Sequence, residues 1–372
     1  MRILIAAGIY PPDVGGPATH AKQLKQGFIG KDISVRVISY GKGKEKGLVR
    51  ISRKLPFGIR HFCYLIMCFI AAARSDIVYA QDATAAGLPA FIATFFWRRR
   101  FCIRIGGDII WERALEKGER FLSLRQYYDK NLARADHPFM FFVVRFLLKR
   151  AEAVIVSTPL LKDLYSRFYG VPAERLHVVE SPVFSGTSTE TKKAVSLSKE
   201  PIILFAGRFV AYKNLEFLIK AFDEARQKSG SGILVFIGDG PELENLKNLI
   251  GNLPSRNYIK ILPPQSHEEI IGQIKVSKVC VSAALTEFNP NFILECLALK
   301  KPVLVSREHG ITVKLPEEFL FDPTNLRELT GRLLDMLTPA GYKKASELAL
   351  GIRARRSWDD VIQDHLKILW KS

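Results

Sequence analysis

The sequence predicts two α/β domains in tandem, each with a parallel sheet wrapped by helices. Three observations favour this fold class. The chain has 372 residues, which is more than a single hydrophobic core usually supports. Short apolar runs alternate with helical stretches in both halves, as is typical of parallel sheets. A polar, Ser/Thr-rich stretch at 184–200 separates the halves and is predicted to be a linker.

The first half begins with a predicted buried strand. This run reaches Pro11 and Pro12 too soon for a signal peptide, so no export is expected. Two longer uncharged runs, 62–73 and 83–97, are too short to cross a bilayer comfortably and are predicted to be core helices. The predicted strands of this half are 2–7, 34–39, 77–80, 101–105 and 153–157.

The alternation restarts after the linker. A strand at 201–208 and another at 233–240 are each followed by a predicted helix. Ligands of such sheets bind at the carboxyl ends of the strands, so the cleft between two domains is the expected site. Further strands are predicted at 259–262, 279–282 and 302–306.

Positive charge is concentrated in the first half. The net charge is +18, and residues 1–185 hold 29 Lys and Arg against 15 Asp and Glu. Such a lobe indicates an anionic partner, either a membrane surface, a phosphorylated substrate or nucleic acid. Nucleic acid is not expected, because neither an RNA-binding signature nor a helix-turn-helix pattern is present.

The five cysteines lie in apolar contexts without a Cys-x-x-Cys pair or a His/Cys cluster. This pattern predicts neither a disulfide framework nor a zinc site, and it fits a reducing, cytoplasmic location.

The first candidate site follows the strand at 201–208. Gly207 and Arg208 end that strand, and Lys213 lies just before a predicted helix. A glycine, two cations and a helix N-terminus at the end of a strand are typical of a diphosphate site. The alternative is that Arg208 and Lys213 are surface charges and that Gly207 only forms a turn.

The second candidate site is a pair of glutamates. Glu287 lies in a predicted loop before a helix with Pro290 near position N1 and Asn289 as a candidate cap. Glu295 lies inside that helix, and its side chain leans back toward the helix N-terminus. Two acceptors at this place suit the hydroxyl groups of a polyol. The alternative is that Glu295 pairs with a neighbouring lysine.

Several motifs together resemble the retaining, nucleotide-sugar-dependent glycosyltransferases of family 4, which have the GT-B fold. The spacing of Glu287 and Glu295 resembles the signature of that family. The other motifs, in chain order, are GIYPPDVGGPATHAKQL, DIVYAQDATAAGLPA, AVIVSTPLLKDLYSRFYGVP, FAGRFVAYKN, IGDGPELENL and RSWDDVIQDHLKIL. One departure is VVESPVF near 178–184, which makes the hinge position less certain.

The resemblance implies two Rossmann-like domains that face a central cleft. Residues 1–183 would form the acceptor-side domain, 184–200 the linker and 201–356 the nucleotide-sugar-binding domain. A last helix at 357–372 would pack back on the first domain.

The resemblance also implies roles for single residues. Arg208 and Lys213 would neutralise the leaving diphosphate, Glu295 would accept from the ribose hydroxyls, and Glu287 would hold the transferred sugar. The other implied donor-site residues are Gly15, Gly16, Gly207, Gly238, Phe288, Asn289 and Asn291.

Two residues of the first half have two readings each. Many relatives carry a histidine where this chain has Gly107-Asp108. Asp108 would contact the donor sugar or orient the acceptor hydroxyl; the alternative is that it caps the helix that begins near Ile110. His20 would either touch the cleft or lie on a helix surface.

The implied function is transfer of a sugar, with retention, from a nucleoside-diphosphate sugar to a glycan or lipid-linked acceptor. Synthesis of cell-surface polysaccharide, lipopolysaccharide or glycolipid is the expected setting. No Asp-x-Asp motif occurs, so neither a metal nor another cofactor is expected. The alternatives are a sugar-nucleotide epimerase of the same fold and a non-catalytic nucleotide-sugar-binding protein.

The basic first domain suggests peripheral contact with the inner face of the cell membrane. The stretch HPFMFFVVRFLLKR, residues 137–150, mixes large apolar residues with three cations. It is predicted either to lie at a bilayer interface or to form a core helix with a basic C-terminal end.

Overall fold

The computed structural model describes residues 1–13, 15–118, 121–183, 200–288 and 290–371. The chain forms two compact units. The first comprises Met1–Ile110, Asn131–Ser181 and Trp358–Ser372, and the second comprises Trp111–Lys130 and Pro182–Ser357. The predicted linker lies outside the described residues, except for Glu200.

One segment differs from the predicted domain bounds. Residues Trp111–Lys130 belong to the second unit, although they lie within the predicted first domain of 1–183.

The sheet of the first unit has seven parallel strands in the order β3-β2-β1-β4-β5-β6-β7. The order reverses between β1 and β4, which marks the switch point where ligands of doubly wound sheets bind. The strands are β1 Arg2–Ala7, β2 Ser34–Tyr40, β3 Leu48–Ile51, β4 Ile77–Ala80, β5 Arg100–Ile105, β6 Ala153–Val156 and β7 Leu176–Val178.

The second unit repeats this plan with six parallel strands in the order β10-β9-β8-β11-β12-β13. Its switch point lies between β8 and β11. The strands are β8 Ile202–Ala206, β9 Ile233–Ile237, β10 Ile259–Leu262, β11 Val279–Ser282, β12 Val303–Ser306 and β13 Leu320–Phe321.

Fifteen α-helices lie in the part of the chain that the structure describes. The first eight are α1 Gly16–Ile29, α2 Phe57–Ala72, α3 Gly87–Trp97, α4 Ile109–Glu116, α5 Leu124–Asp129, α6 Leu132–Asp136, α7 Pro138–Arg150 and α8 Pro159–Tyr169. The others are α9 Leu215–Ser229, α10 Leu243–Gly251, α11 His267–Val276, α12 Asn291–Ala298, α13 Leu326–Leu337, α14 Pro339–Gly351 and α15 Trp358–Lys371.

The last helix, α15, packs on α1 within the first unit. A β-carbon at Gly27 would lie only 2.1 Å from Cδ1 of Ile362, so glycine permits this close approach. His20 is buried at the same contact, with its ring centroid 5.7 Å from that of Trp358 and 5.4 Å from that of His365. The alternative that His20 lies on a helix surface is therefore wrong, and the alternative that it touches a cleft stays a prediction.

The two uncharged runs form α2 and α3, but neither is a core helix throughout. Each buries one side, and the opposite sides expose Phe62 and Phe95 by 62% and 67%. Helix α7 likewise exposes Phe139 and Phe142 and buries its opposite side, so the alternative of a core helix at 137–150 holds for one side only. No helix among the described residues has the length and apolar character needed to cross a membrane.

Candidate active site

The site predicted at the end of β8 lies at the switch point of the second sheet. Gly207 follows β8, and Gly238 follows the adjacent strand β9. The two loops touch, because a β-carbon at Gly238 would lie 1.9 Å from the carbonyl oxygen of Gly207. Only glycine fits at Gly238, where φ is also +151°. The glycines thus bring both loops to one place at the carboxyl edge of the sheet.

Lys213 and Glu287 form a buried ion pair beside this edge. Nζ of Lys213 lies 2.7 Å from Oε2 of Glu287, and the side chains are 13% and 4% exposed. The hydroxyl of Ser282, the last residue of β11, donates to the same oxygen over 2.5 Å. The resemblance implies that Lys213 neutralises a diphosphate, whereas its charge in the structure is balanced by Glu287.

The second oxygen of Glu287 is the notable feature of the pair. Oε1 is buried and has no hydrogen-bond partner among the described residues. A buried carboxylate oxygen costs free energy unless it accepts a hydrogen bond. A ligand hydroxyl would satisfy Oε1, while Lys213 and Ser282 hold Oε2 in place.

Arg208 differs from Lys213 because its guanidinium is exposed. Within the described ranges it makes neither a hydrogen bond nor an ion pair with the protein. It is therefore the available cation at the end of β8, next to Gly207.

Glu295 pairs with a histidine and not with the neighbouring lysine that the sequence suggested as an alternative. Its Oε1 lies 3.0 Å from Nε2 of His267, the first residue of α11, and not beside a lysine. This hydrogen bond raises the pKa of His267. The sequence did not reveal His267, because 28 residues separate the partners and only the fold joins them.

The helix that carries Glu295 begins one residue later than predicted. Pro290 occupies the N-cap position of α12 and Asn291 is its first residue, so the placement of Pro290 near N1 is shifted. Asn289, the predicted cap, lies outside the described residues. Oδ1 of Asn291 is buried without a hydrogen-bond partner in the described part of the chain.

Ser123 and Leu124 hold the loop that carries Glu287, and no sequence pattern predicts this role. The hydroxyl of Thr286 accepts from the backbone N–H of Leu124 over 2.8 Å and donates to Glu308 over 2.7 Å. The hydroxyl of Ser123 donates to the other oxygen of Glu308 over 2.6 Å. These contacts are between distant parts of the chain, so no local pattern predicts them.

An aromatic cluster covers the next residue of this loop. Phe288 is buried, with its ring centroid 5.3 Å from that of Tyr212 and 5.9 Å from that of Trp111. Burial raises the pKa of Tyr212, so this side chain is a neutral phenol. The cluster fixes the backbone on the C-terminal side of Glu287.

The first unit places its predicted residues at the corresponding edge of its own sheet. Gly15 is the N-cap of α1 and Gly16 is the first residue of that helix. Asp108 is 1% exposed and directly precedes α4, with its Oδ2 3.4 Å from the hydroxyl of Tyr165. Both readings of Asp108, as a ligand contact or a helix cap, fit this position.

The titratable side chains do not form a metal centre in the described ranges. No group of three or more His, Cys, Asp and Glu side chains there is suited to hold a metal ion.

Two sequence models of known families match consecutive parts of the chain. The model described as Glycosyltransferase Family 4 matches residues 14–183, and the one described as Glycosyl transferases group 1 matches residues 187–349.

Among curated proteins, the alpha-D-kanosaminyltransferase of Streptomyces kanamyceticus is 30% identical over 207 residues, which are 54% of this chain and 53% of that protein. In this relative and in two others at 25% identity, the match spans about half of the relative's length or less.

Solved structures match the whole chain at low sequence identity. The Anabaena protein HepE in complex with UDP and glucose is 16% identical, with a TM-score of 0.75 and coverage of 100% of this chain and 99% of that one. The UDP-GlcNAc 2-epimerase of Methanocaldococcus jannaschii is 14% identical, with a TM-score of 0.59 and full coverage of both chains. These likenesses confirm the predicted fold class of two Rossmann-like parallel-sheet domains. The two family matches, which follow one another along most of the chain, show that it belongs to the family-4 glycosyltransferases.

Proposed function

We propose that this protein is a retaining glycosyltransferase that moves a sugar from a nucleoside-diphosphate sugar to a glycan or lipid-linked acceptor. The observation that carries the proposal is the unsatisfied Oε1 of Glu287 at the switch point of the second sheet. This oxygen lies in a rigid, nearly dry setting, and the cation of Arg208 is available beside the same strand ends. A buried acceptor oxygen and an available cation suit a ligand that carries hydroxyl groups as well as a diphosphate.

In this proposal the donor binds to the second unit. Glu287 accepts a hydrogen bond from a hydroxyl of the transferred sugar, and backbone N–H groups near Phe288 and Asn291 assist. Arg208 binds the diphosphate, while Lys213 acts mainly by fixing the carboxylate of Glu287. Glu295 accepts hydrogen bonds from the ribose hydroxyls, and His267 orients the carboxylate of Glu295. The loops at Gly207 and Gly238 bring the backbone close to the nucleotide.

The reaction breaks the bond between the anomeric carbon and the diphosphate oxygen. A new bond forms from that carbon to an acceptor hydroxyl oxygen, on the same face of the sugar. The proton of this hydroxyl passes to the departing diphosphate. Arg208 stabilises the charge that develops on the leaving oxygens, so it acts more strongly in the transition state than in the ground state.

The proposal needs no metal for the leaving group, because the Arg208 cation and the backbone N–H groups supply its electrostatic stabilisation. For the first unit, we propose that Gly15 and Gly16 let the loop before α1 approach the substrate. Asp108 is proposed to orient the acceptor hydroxyl.

We propose a uridine nucleotide as the first candidate for the donor, since the structure of HepE contains UDP and glucose. The epimerase likeness supports a second candidate, because an enzyme that converts nucleotide sugars shares this fold. The two functions differ in one observable. A transferase releases the nucleoside diphosphate in response to an acceptor. An epimerase converts the nucleotide sugar in the absence of any acceptor.

The test is acceptor-dependent release of nucleoside diphosphate, measured with a membrane glycolipid extract as acceptor. Arg208→Ala is expected to lower kcat by about 10²–10³-fold, the usual cost of losing one donor to a developing negative charge. Lys228→Ala is the control, because Lys228 is a cation in the last turn of α9. Unchanged turnover in Arg208→Ala would remove the leaving-group role. Conversion of the nucleotide sugar without acceptor would favour the epimerase.

We also propose peripheral membrane contact through the first unit. Helices α2, α3 and α7 are neighbours there, since the ring centroids of Phe69 and Phe96 are 5.8 Å apart and those of Phe91 and Phe146 are 5.5 Å apart, both edge to face. We propose that the exposed aromatic side chains of these helices form one apolar face: Phe57, Phe62, Phe95, Phe96, Phe139 and Phe142. Cations border this face, with Arg60 over the ring of Phe57 and Arg150 over the ring of Phe146. Apolar rings within a basic border suit an anionic bilayer surface.

A further inference from the structure

The first unit contains a buried arginine without a partner. Arg104, in β5, is 5% exposed, and its Nε has no hydrogen-bond partner. Among the residues that the structure describes, its guanidinium makes neither an ion pair nor a hydrogen bond. Burial lowers the pKa of this group, and no carboxylate raises it.

The other buried lysine and arginine side chains in the described ranges are compensated. Nζ of Lys25 lies 2.6 Å from a carboxylate oxygen of Glu45. Arg226 is paired with Glu200 and also donates to the carbonyl oxygen of Gly232 over 3.0 Å. A buried charge without such compensation is costly, so Arg104 calls for an explanation that packing does not supply.

Two further side chains around Arg104 are also unsatisfied. Gln81 follows β4, the strand beside β5. Its buried side-chain amide lies near His20 and Tyr79 and affects the pKa of both, but neither of its polar atoms has a partner at hydrogen-bond geometry in the described ranges. Nδ1 of the buried His20 lacks one as well. Arg104 lies close enough to His20 to lower its pKa, which burial already lowers, so this imidazole is neutral.

The position of this cluster is that of a ligand site. Arg104 is the penultimate residue of β5, and a β-carbon at Gly106 would lie 3.0 Å from its Nη1. The guanidinium therefore reaches the carboxyl end of the strand, where the missing side chain of Gly106 leaves room. Gln81 lies at the carboxyl end of β4, one of the two strands at the switch point of this sheet. Ligands of doubly wound sheets bind at this edge.

Asp82, the acid that follows Gln81 in the chain, does not serve as the missing partner of Arg104. Oδ1 of Asp82 accepts from the backbone N–H groups of Thr84 and Ala86 over 2.9 Å and 3.0 Å. It is therefore engaged with the turn that follows β4.

We propose that Arg104 and Gln81, with His20, form a subsite in the first unit for an oxyanion of the acceptor, either a phosphate or a carboxylate group. The guanidinium and the amide N–H₂ would donate to the anion, and the neutral imidazole would complete the shell. The assignment to the acceptor rests on the proposed function. The anion site itself rests only on the unsatisfied groups.

The first test is the thermal stability of the full chain in a buffer that contains neither phosphate nor carboxylate. Arg104→Met removes a buried, unpaired charge and is expected to raise Tm by about 2 °C or more. The matched control, Arg226→Met, removes the ion-pair partner of the Glu200 carboxylate and is expected to lower Tm. If Arg104→Met lowers Tm as much as this control, Arg104 is a structural arginine and the proposal fails.

The second test is titration with inorganic phosphate or acetate at constant ionic strength. Phosphate is expected to raise Tm of the wild-type protein, and the rise is expected to be lost in Arg104→Met and weakened in Gln81→Leu. The titration is repeated in Arg208→Ala, so that anion binding at the donor site is not counted. A response to phosphate alone indicates a phosphorylated acceptor, and a response to acetate as well indicates an acidic sugar. A wild-type protein unmoved by both anions, or a full response in Arg104→Met, would overturn the proposal.

These results are separable from those on the donor site. Arg104→Met is expected to keep any stabilisation by nucleotide sugars, because its position is in the first unit and the proposed donor residues are in the second. A phosphate-induced rise in Tm that is lost in Arg104→Met would support the anion site. If, in addition, no nucleotide sugar raises Tm of the wild type, the proposed transferase is contradicted while the anion site stands.

Discussion

At the residue scale, the two glutamates of the sequence have different settings. Glu287 is an almost dry carboxylate with one oxygen occupied by Lys213 and Ser282 and one oxygen unsatisfied. Glu295 is more exposed and pairs with His267. The types and the spacing of these glutamates were readable in the sequence. Their partners were not, because each partner comes from another strand or helix end.

The ion pair of Glu287 predicts a large effect on stability. Glu287→Ala leaves the ammonium of Lys213 nearly buried without its partner, so the free energy of unfolding is expected to fall by about 3–5 kcal/mol. Adding Lys213→Met is expected to recover much of this loss. Urea denaturation of both variants measures the change.

The control for that experiment is the exposed pair of Glu216 and Lys220 on α9. Glu216→Ala is expected to cost less than about 1 kcal/mol, since surface ion pairs contribute little. If Glu287→Ala costs no more than Glu216→Ala, the buried pair does not hold the loop.

The hydrogen bond between His267 and Glu295 predicts that the contribution of His267 to protein stability depends on pH. Because the folded-state pKa of His267 is raised, its stabilising contribution is fully present below about pH 6.5, the ordinary pKa of histidine. The contribution is lost as the pH rises through the raised pKa. The difference in Tm between the wild type and His267→Ala is therefore expected to shrink from pH 6 to pH 8.5. A difference that stays constant or grows with pH would contradict this pairing.

At the scale of elements, periodicity and apolar runs predicted most strands of both sheets. The strands at 2–7, 77–80, 259–262 and 279–282 have the predicted bounds, and the other predicted strands differ by a few residues at their ends. The missed strands β3, β7 and β13 are short and lie at or near the sheet edges, where few apolar residues are buried. The uncharged runs of α2 and α3 are predicted to be core helices, but each exposes one side, because an uncharged run does not show which of its sides faces solvent.

The exposed apolar face on these three helices predicts binding to anionic vesicles. The protein is expected to pellet with phosphatidylglycerol liposomes at low salt and less at high salt, because both the rings and the bordering cations contribute. The triple variant Phe95→Ser, Phe96→Ser, Phe142→Ser is expected to stay in the supernatant.

Leu350→Ser provides the control, because Leu350 is an exposed apolar residue of the second unit, at 63% exposure. Wild-type protein that does not pellet at low salt would contradict membrane contact. Equal loss of binding in Leu350→Ser would show that the effect is not specific to the proposed face.

At the scale of the whole molecule, two repeats of one plan account for the position of the candidate residues. In each unit, they follow strands that end at the carboxyl edge of a doubly wound sheet. The order of elements, which the sequence revealed, is enough to predict that edge. The sequence did not reveal that Trp111–Lys130 belongs to the second unit, because the contacts of Ser123 and Leu124 with Thr286 and Glu308 join residues more than 160 positions apart.

The central claim is that the second unit binds a nucleoside-diphosphate sugar through Glu295 and Glu287. The most direct measurement is the thermal stability of the purified protein with UDP-, GDP-, ADP- and dTDP-sugars, repeated with Glu295→Ala and with Glu216→Ala as the control. One nucleotide class is expected to raise Tm in the wild type and in the control, and not in Glu295→Ala. If no nucleotide sugar raises Tm of the folded protein, or if Glu295→Ala responds as fully as the wild type, the proposed donor site is contradicted.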